Sequence, residues 1–161
     1  MAELENRLTV EQEDTQSGKF LTFELGSEAY GIEIRFVTEI VGIQPVTQVP
    51  EVPGYVKGII NLRGQVIPVI DMRLRFGKEE VGYTDRTCII VIEIRNIPVG
   101  LIVDGVSEVI RISEDQIVPA PSYQSGMQDR FIKSIGKVGS DVKLLLDCDK
   151  IVLDQGMEEI G

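Results

Sequence analysis

The stretch FLTFELGSEAYGIEIRFVTEIVGIQPVTQVP, residues 20–50, returns 69 positions further on as IIVIEIRNIPVGLIVDGVSEVIRISEDQIVP, residues 89–119. Gly31 falls on Gly100, Val37 on Val106, Glu39 on Glu108, Ile40 on Val109, and Val49-Pro50 on Val118-Pro119, without a gap. After a few extra residues in the second copy the match resumes, with Tyr55-Val56-Lys57 against Phe131-Ile132-Lys133 and Val69-Ile70-Asp71 against Leu145-Leu146-Asp147. A repeat of this length means two like modules packed together, because solenoids repeat at shorter periods.

Within each copy the apolar residues come in short, partly alternating runs. Phe20 to Leu25 and Ala29 to Ile34 flank a turn at Gly26-Ser27, and Val56 to Leu62 and Gln65 to Asp71 flank Arg63-Gly64. The second copy repeats the order: Thr87 to Ile94 and Ile97 to Val103 about Arg95-Asn96, then Val106 to Ile112 matching Val37 to Ile43, then 132–138 and 142–147 about Gly139-Ser140-Asp141. Each pair reads as a hairpin. Pro68, inside a returning strand, predicts an edge or a bulge. Many short strands with little helical periodicity predict an all-β chain of small barrels, with a helical turn near Cys148 to Leu153. The polar stretch Gly77 to Arg86 separates the copies, and the connection between lobes is expected there.

Composition narrows the partners. The 161 residues are 43% apolar, enough to bury a core, although neither lobe alone is large enough to be comfortable. A net charge of −10, from 16 basic and 26 acidic residues, excludes a nucleic-acid backbone or an anionic membrane as the main ligand. No apolar run reaches the length of a membrane span, and the acidic start MAELENRLTVEQED does not read as a signal peptide, so a cytoplasmic protein is expected. Residues 1–17 are too charged to repay the entropy of ordering and read as a flexible tail. Cys88 and Cys148 lie in apolar strand-like runs without metal or redox spacing and read as reduced core residues.

There is no histidine, which removes the commonest general base and metal ligand. P-loop, dinucleotide, nucleophile-elbow and calcium-loop patterns are absent, so neither a metal nor a cofactor is expected. The repeated Asp71 and Asp147 could form an acid-protease dyad. They are followed by Met72 and Cys148 rather than the small residues of such a turn, and read instead as strand-end caps.

Arg63 has no counterpart, since Asn61-Leu62-Arg63-Gly64 is matched by Lys137-Val138-Gly139-Ser140. An arginine on a turn either projects into water or forks onto a carboxylate and presents its plane to a partner. Glu39 is the nearest acid by pattern, and its other reading is the outward position of an alternating strand. The segments Gln44 to Pro53 and Gln116 to Tyr123 are stiff proline-bearing loops that suit either contact or simple chain routing.

Val56-Lys57-Gly58-Ile59-Ile60-Asn61-Leu62-Arg63-Gly64, Ile67-Pro68-Val69-Ile70-Asp71-Met72-Arg73 and Val99-Gly100-Leu101-Ile102-Val103-Asp104-Gly105-Val106, with the looser opening Leu25 to Ile32, resemble the CheW family of chemotaxis coupling proteins over about residues 19–153. The resemblance implies two pseudo-symmetric SH3-like five-stranded β-barrels about a shared core, in a domain at 18–154. Copy one covers about 19–76 and copy two about 87–153, and 155–161 form a C-terminal tail. It implies a non-catalytic adaptor that links chemoreceptor cytoplasmic tips to the regulatory domain of the chemotaxis histidine kinase, is recruited to membrane-associated receptor arrays, and alternates with kinase domains in rings. By matching motif, a groove between the barrels receives the receptor hairpin at Arg63 and Glu39, with Val37, Gly58, Gly64, Val106 and Val109 as neighbours. Kinase contacts fall on Val46, Val49, Val118 and Tyr123. The rival reading is a β-barrel that senses a small ligand or binds a peptide in the inter-lobe groove.

Overall fold

The computed structural model describes residues 17–120 and 130–153. Eleven strands follow one another as β1 (Lys19–Leu25), β2 (Glu28–Glu33), β3 (Val37–Gly42), β4 (Val56–Leu62), β5 (Gln65–Asp71), β6 (Cys88–Ile94), β7 (Ile97–Val103), β8 (Gly105–Arg111), β9 (Ile117–Pro119), β10 (Ile132–Val138) and β11 (Asp141–Leu146). Short helices α1 (Met72–Arg75) and α2 (Cys148–Leu153) follow β5 and β11. The strand bounds repeat with the sequence: β6 lies on β1, and β10 on β4.

The strands form two sheets, ordered β8-β1-β2-β11-β10-β9 and β3-β6-β7-β5-β4. Neither sheet is one copy of the repeat. The hairpin β1–β2 pairs outward with β8 and, in parallel, with β11, both from the second copy. Reciprocally, β6–β7 pairs with β3 and, in parallel, with β5 from the first. Each barrel therefore joins the first two strands of one copy to the later strands of the other, and the repeat is woven. The segment Gly77 to Arg86 consequently does not connect the lobes, as the sequence reading expected, since it joins β5 to β6 within one sheet. The chain passes between sheets at the 3-10 turn Ile34–Phe36 and at the single residue Asp104.

Pro68 lies in β5, an interior strand flanked by β7 and β4. Its missing N–H is tolerated because the parallel ladder to β7 begins one residue later, at Val69 opposite Gly100. The bulge is in the partner strand, between Val56 and Gly58.

Buried side chains fall in three clusters among the described residues. One, within the five-stranded barrel, includes Ile60, Leu62, Ile67, Val69, Ile89, Val91 and Ile102. A smaller one in the other barrel contains Phe20, Ile112 and Leu145. The largest lies between the sheets and draws on both, from Leu21, Phe23, Tyr30 and Ile32 to Ile90, Ile92, Leu101 and Val103. Rings run through it from Phe23 to Tyr30, Phe76 and Phe131, with centroids 5.5, 5.3 and 5.5 Å apart. Arg75, 1% exposed, is held between the rings of Tyr55 and Phe131 and donates to the carbonyls of Ile151 and Lys150, so its charge is buried with partners. Asp71 and Asp147 are helix caps, accepting from Arg73 and Leu74 N–H and from Lys150 N–H respectively. The two thiols are unpaired, and burial pushes that of Cys148 up to about 12.

Candidate functional site

The site begins with an irregularity in β3. Its pairing with β6 runs Val37 opposite Ile92, then Glu39 opposite Val91, Ile40 opposite Ile90 and Val41 opposite Ile89, with a bulge between Val37 and Glu39. Opposed residues of an antiparallel pair share a face. Val37 and Ile40 therefore face the side of Ile92 and Ile90, which belong to the core between the lobes. Glu39 and Val41 face the side of Val91 and Ile89, in the core of one barrel. The bulge shifts the alternation by one residue, so that Val37 and Glu39 face opposite sides of the sheet. Simple alternation, which would set Val37 and Glu39 on one face, does not apply.

Glu39, half-buried at the barrel rim, accepts a hydrogen bond from Arg63 Nη2. The pair joins the edge strand β3 to the β4–β5 turn, at the two ends of that sheet's strand order, and so closes the barrel. Arg63 is held by its turn: Arg63 and Gly64 have φ of 52° and 85°, and the Asn61 Oδ1 accepts the Gly64 N–H at 2.8 Å. Two positive φ values in succession make the tight hairpin turn that matches the twist of its strands. In the second copy Gly139 occupies the equivalent place with φ of 62°. A side chain thus stands in copy one where copy two uses glycine, and it remains 66% exposed.

The second lobe meets the same inter-lobe core through β8. Val106 lies opposite Phe23 and Val109 opposite Leu21, both partners in that core, with a register shift between them like that of β3. Val106 and Val37 are half-buried against the shared core, whereas Ile40 and Val109 are 44% and 50% exposed. Two aliphatic side chains from each lobe therefore lie on strand faces turned towards the shared core, which is the seam between the lobes. Ile40 is absent from the residues expected from sequence, although its repeat partner Val109 is among them; the repeat itself was the signal that would have found it.

Gly58 serves the site from inside. It is buried with φ of 146°, and a Cβ there would lie 2.1 Å from the Thr47 carbonyl oxygen. That contact is the Thr47–Ile59 bridge, with both N–H···O bonds at 2.9 Å, which fastens the first proline-bearing loop to β4. Val46 in this loop packs on the barrel core and, with Lys57, Glu80, Val81, Gly82 and Tyr83, lines a cavity of about 240 Å³. Val49 lines a neighbouring hollow with Gly54 and Lys57. Val118 is in β9, opposite Ile135. Tyr123 falls outside the described residues. Gly64 is exposed beside Arg63.

Among the described residues no three acidic or thiol side chains converge as a metal site would require, and no helix is long and apolar enough to cross a membrane. Two interwoven SH3-like barrels about a shared core, with an arginine–glutamate clasp and an aliphatic seam at their edges, define a binding scaffold. The CheW-like domain family matches residues 19–155, and the chain belongs to that family. It is 37% identical to the chemotaxis protein CheW of Klebsiella aerogenes over 144 residues, 89% of this chain and 87% of that one. Over 134 residues, 83% of this chain and 86% of the other, it is 37% identical to CheW of Bacillus subtilis. The crystal structure of the scaffolding protein TtCheW from Thermoanaerobacter tengcongensis superposes with a TM-score of 0.79 at 37% identity, covering 86% of this chain and 94% of that one.

Proposed function

We propose that this chain is a chemotaxis adaptor that couples the cytoplasmic tips of chemoreceptors to the regulatory domain of the chemotaxis histidine kinase. The observation that carries this reading is the Arg63–Glu39 clasp, built at a conformational cost in one copy only, in a chain of the CheW-like family. An amphipathic receptor helix lays its apolar strip along Val37, Ile40, Val106 and Val109, while Arg63 and Glu39 fix its direction. The exposed arginine offers donors to a partner carboxylate or carbonyl without leaving Glu39. The proline-bearing loops, with Val46, Val49, Val118 and Tyr123, take the kinase. The interacting domain is 18–154, with tails on either side, and works from the cytoplasm at membrane-associated arrays.

No bond is made or broken. The adaptor holds two partners in fixed relation, so that a small helix motion in the receptor biases the kinase between states. The test is a ternary complex: purified protein, a receptor-tip fragment and the kinase regulatory domain should co-elute, and Arg63→Glu should release the receptor fragment while retaining the kinase domain. Retention of both partners by Arg63→Glu would remove Arg63 from the receptor site.

A further inference from the structure

The two passages of the chain between lobes are built differently. At Ile34–Phe36 the charged residue stays local: Arg35 bonds Glu33 Oε1 at 3.3 Å and lies over the ring of its neighbour Phe36. At the other passage one residue, Asp104, is tied on every side. Its N–H donates to the Glu24 carbonyl at 3.1 Å, and its carboxylate accepts the Gly26 N–H at 2.7 Å, both from the β1–β2 hairpin of one lobe. From the other lobe Arg73 forks onto both carboxylate oxygens, with Nε at 2.9 Å. Arg73 is itself fixed, because its N–H is capped by Asp71 at 2.9 Å and its carbonyl accepts from Lys78 N–H at 2.7 Å. Arg86 adds an outer strap, bonding Glu24 at 3.1 Å and covering Gly105. The repeat does not reproduce this arrangement: the residues equivalent to Asp104 and Arg73 are Arg35 and Asp149, of opposite charge. Here, as at Arg63, the copies have diverged.

We infer that Asp104, clasped by Arg73 and the Gly26 N–H, is a positioning residue for the seam. β8 starts at the next residue, and Val106, the first seam residue, is two positions on. A bidentate pair fixes direction as well as distance, so the clasp sets the angle at which β8 leaves the passage and the height at which Val106 and Val109 meet their partner. Among the described residues the passage at Ile34–Phe36 carries no such fork between lobes, and β3 on that side is held within its own sheet by the ladder to β6 and by Arg63 on Glu39. This rests on the seam being the receptor site, and the test separates the two ideas.

In a Cys88→Ser, Cys148→Ala background, spin labels at Gly42→Cys and Ser107→Cys, both exposed, report the distance between β3 and β8. Labels at Gly42→Cys and Ile97→Cys report within one lobe. Asp104→Asn and Arg73→Lys should each shift the 42–107 distance and leave the 42–97 distance in place, and the double variant should shift it no further than Asp104→Asn alone, as expected of one shared contact. In unlabelled protein each single variant should weaken binding of the receptor-tip fragment, Asp104→Asn by about tenfold, or about 1.4 kcal/mol. Ile89→Val, in the core of one barrel, serves as the control for lost stability. If the variants lower Tm as this control does but leave the 42–107 distance unchanged, or move both distances together, the inference fails. If wild-type protein does not bind the receptor fragment, it is the receptor reading that fails, and the distances still decide the clasp.

Discussion

Arg63 occupies a left-handed backbone position that an L side chain adopts at a cost of about 1 kcal/mol or more, and that the second copy fills with Gly139. An exposed ion pair returns at most about 1 kcal/mol. The ion pair therefore does not by itself outweigh the backbone cost, and Arg63→Gly separates stability from function. Its unfolding free energy by urea titration should stay within about 1 kcal/mol of wild type, while receptor-fragment affinity should fall at least about tenfold. A large loss of stability would instead make the clasp a structural closure of the barrel. Two aspartates respond to pH with opposite sign. The Arg73 fork holds the Asp104 carboxyl below the ordinary range, so its stabilisation is present above the unfolded value of about 3.9 and is lost as pH falls through the lower folded value. Burial pushes Asp71 up, so its ionisation in the fold opposes stability as pH rises through about 3.9 towards the raised value. Asp104→Asn should thus cost about 1–2 kcal/mol at pH 7 and less at pH 3, whereas Asp71→Asn, which keeps a capping oxygen, should be less harmful at pH 7 than at pH 3. Urea titrations at the two pH values measure both.

Strands were the most legible part of the molecule, because apolar runs, turn residues and the repeat all marked the same bounds. The β4–β5 hairpin lies where Val56 to Leu62 and Gln65 to Asp71 put it, and α2 lies at Cys148–Leu153. The faces of β3 and β8 were not legible, because a bulge shifts the alternation by one residue and leaves no mark in a pattern such as Val37-Thr38-Glu39-Ile40. That is why Glu39 and Arg63 could be paired by motif while Ile40 went unnoticed. Gly58 was legible as a motif residue but not as a close approach, since the loop that fills its Cβ space is eleven residues away in sequence. At this scale Gly58→Ala tests how loop and strand hold each other. With φ of 146° and the Thr47 carbonyl in the way, the methyl group must break the Thr47–Ile59 bridge. We expect a loss of about 2–4 kcal/mol in chemical denaturation, with amide exchange rising first at Thr47 and Ile59. If kinase binding falls further than receptor binding in this variant, the loop acts on the kinase side.

The weaving of the two copies governs the whole molecule. A duplicated gene segment whose halves each closed into a barrel would leave two lobes able to fold separately, but here each sheet joins a two-strand hairpin of one copy to strands of the other, through the parallel pairs β2·β11 and β5·β7. Neither the period nor the strand pattern of the sequence distinguishes these arrangements, because both bury the same faces; the strand pairing does, in β1 with β8 and β3 with β6 as in the two parallel pairs. The woven arrangement suits a rigid bracket, since relative motion of the lobes must shear the large core between them and strain both passages of the chain, while separating the copies must break ladders within both sheets. It also makes a definite prediction about fragments. Residues 17–77 lack β11 and β6, which flank β2 and β3, and residues 78–161 lack β5 and β1, which flank β7 and β8, so each alone should give the circular dichroism and amide spectrum of an unfolded chain. Mixed at equal concentration they should assemble into a one-to-one complex with the amide spectrum of the intact protein, and receptor-fragment binding should return with it. A native-like spectrum from residues 17–77 alone would mean that the copies close on themselves in solution and that the exchange of strands is not what holds the bracket rigid.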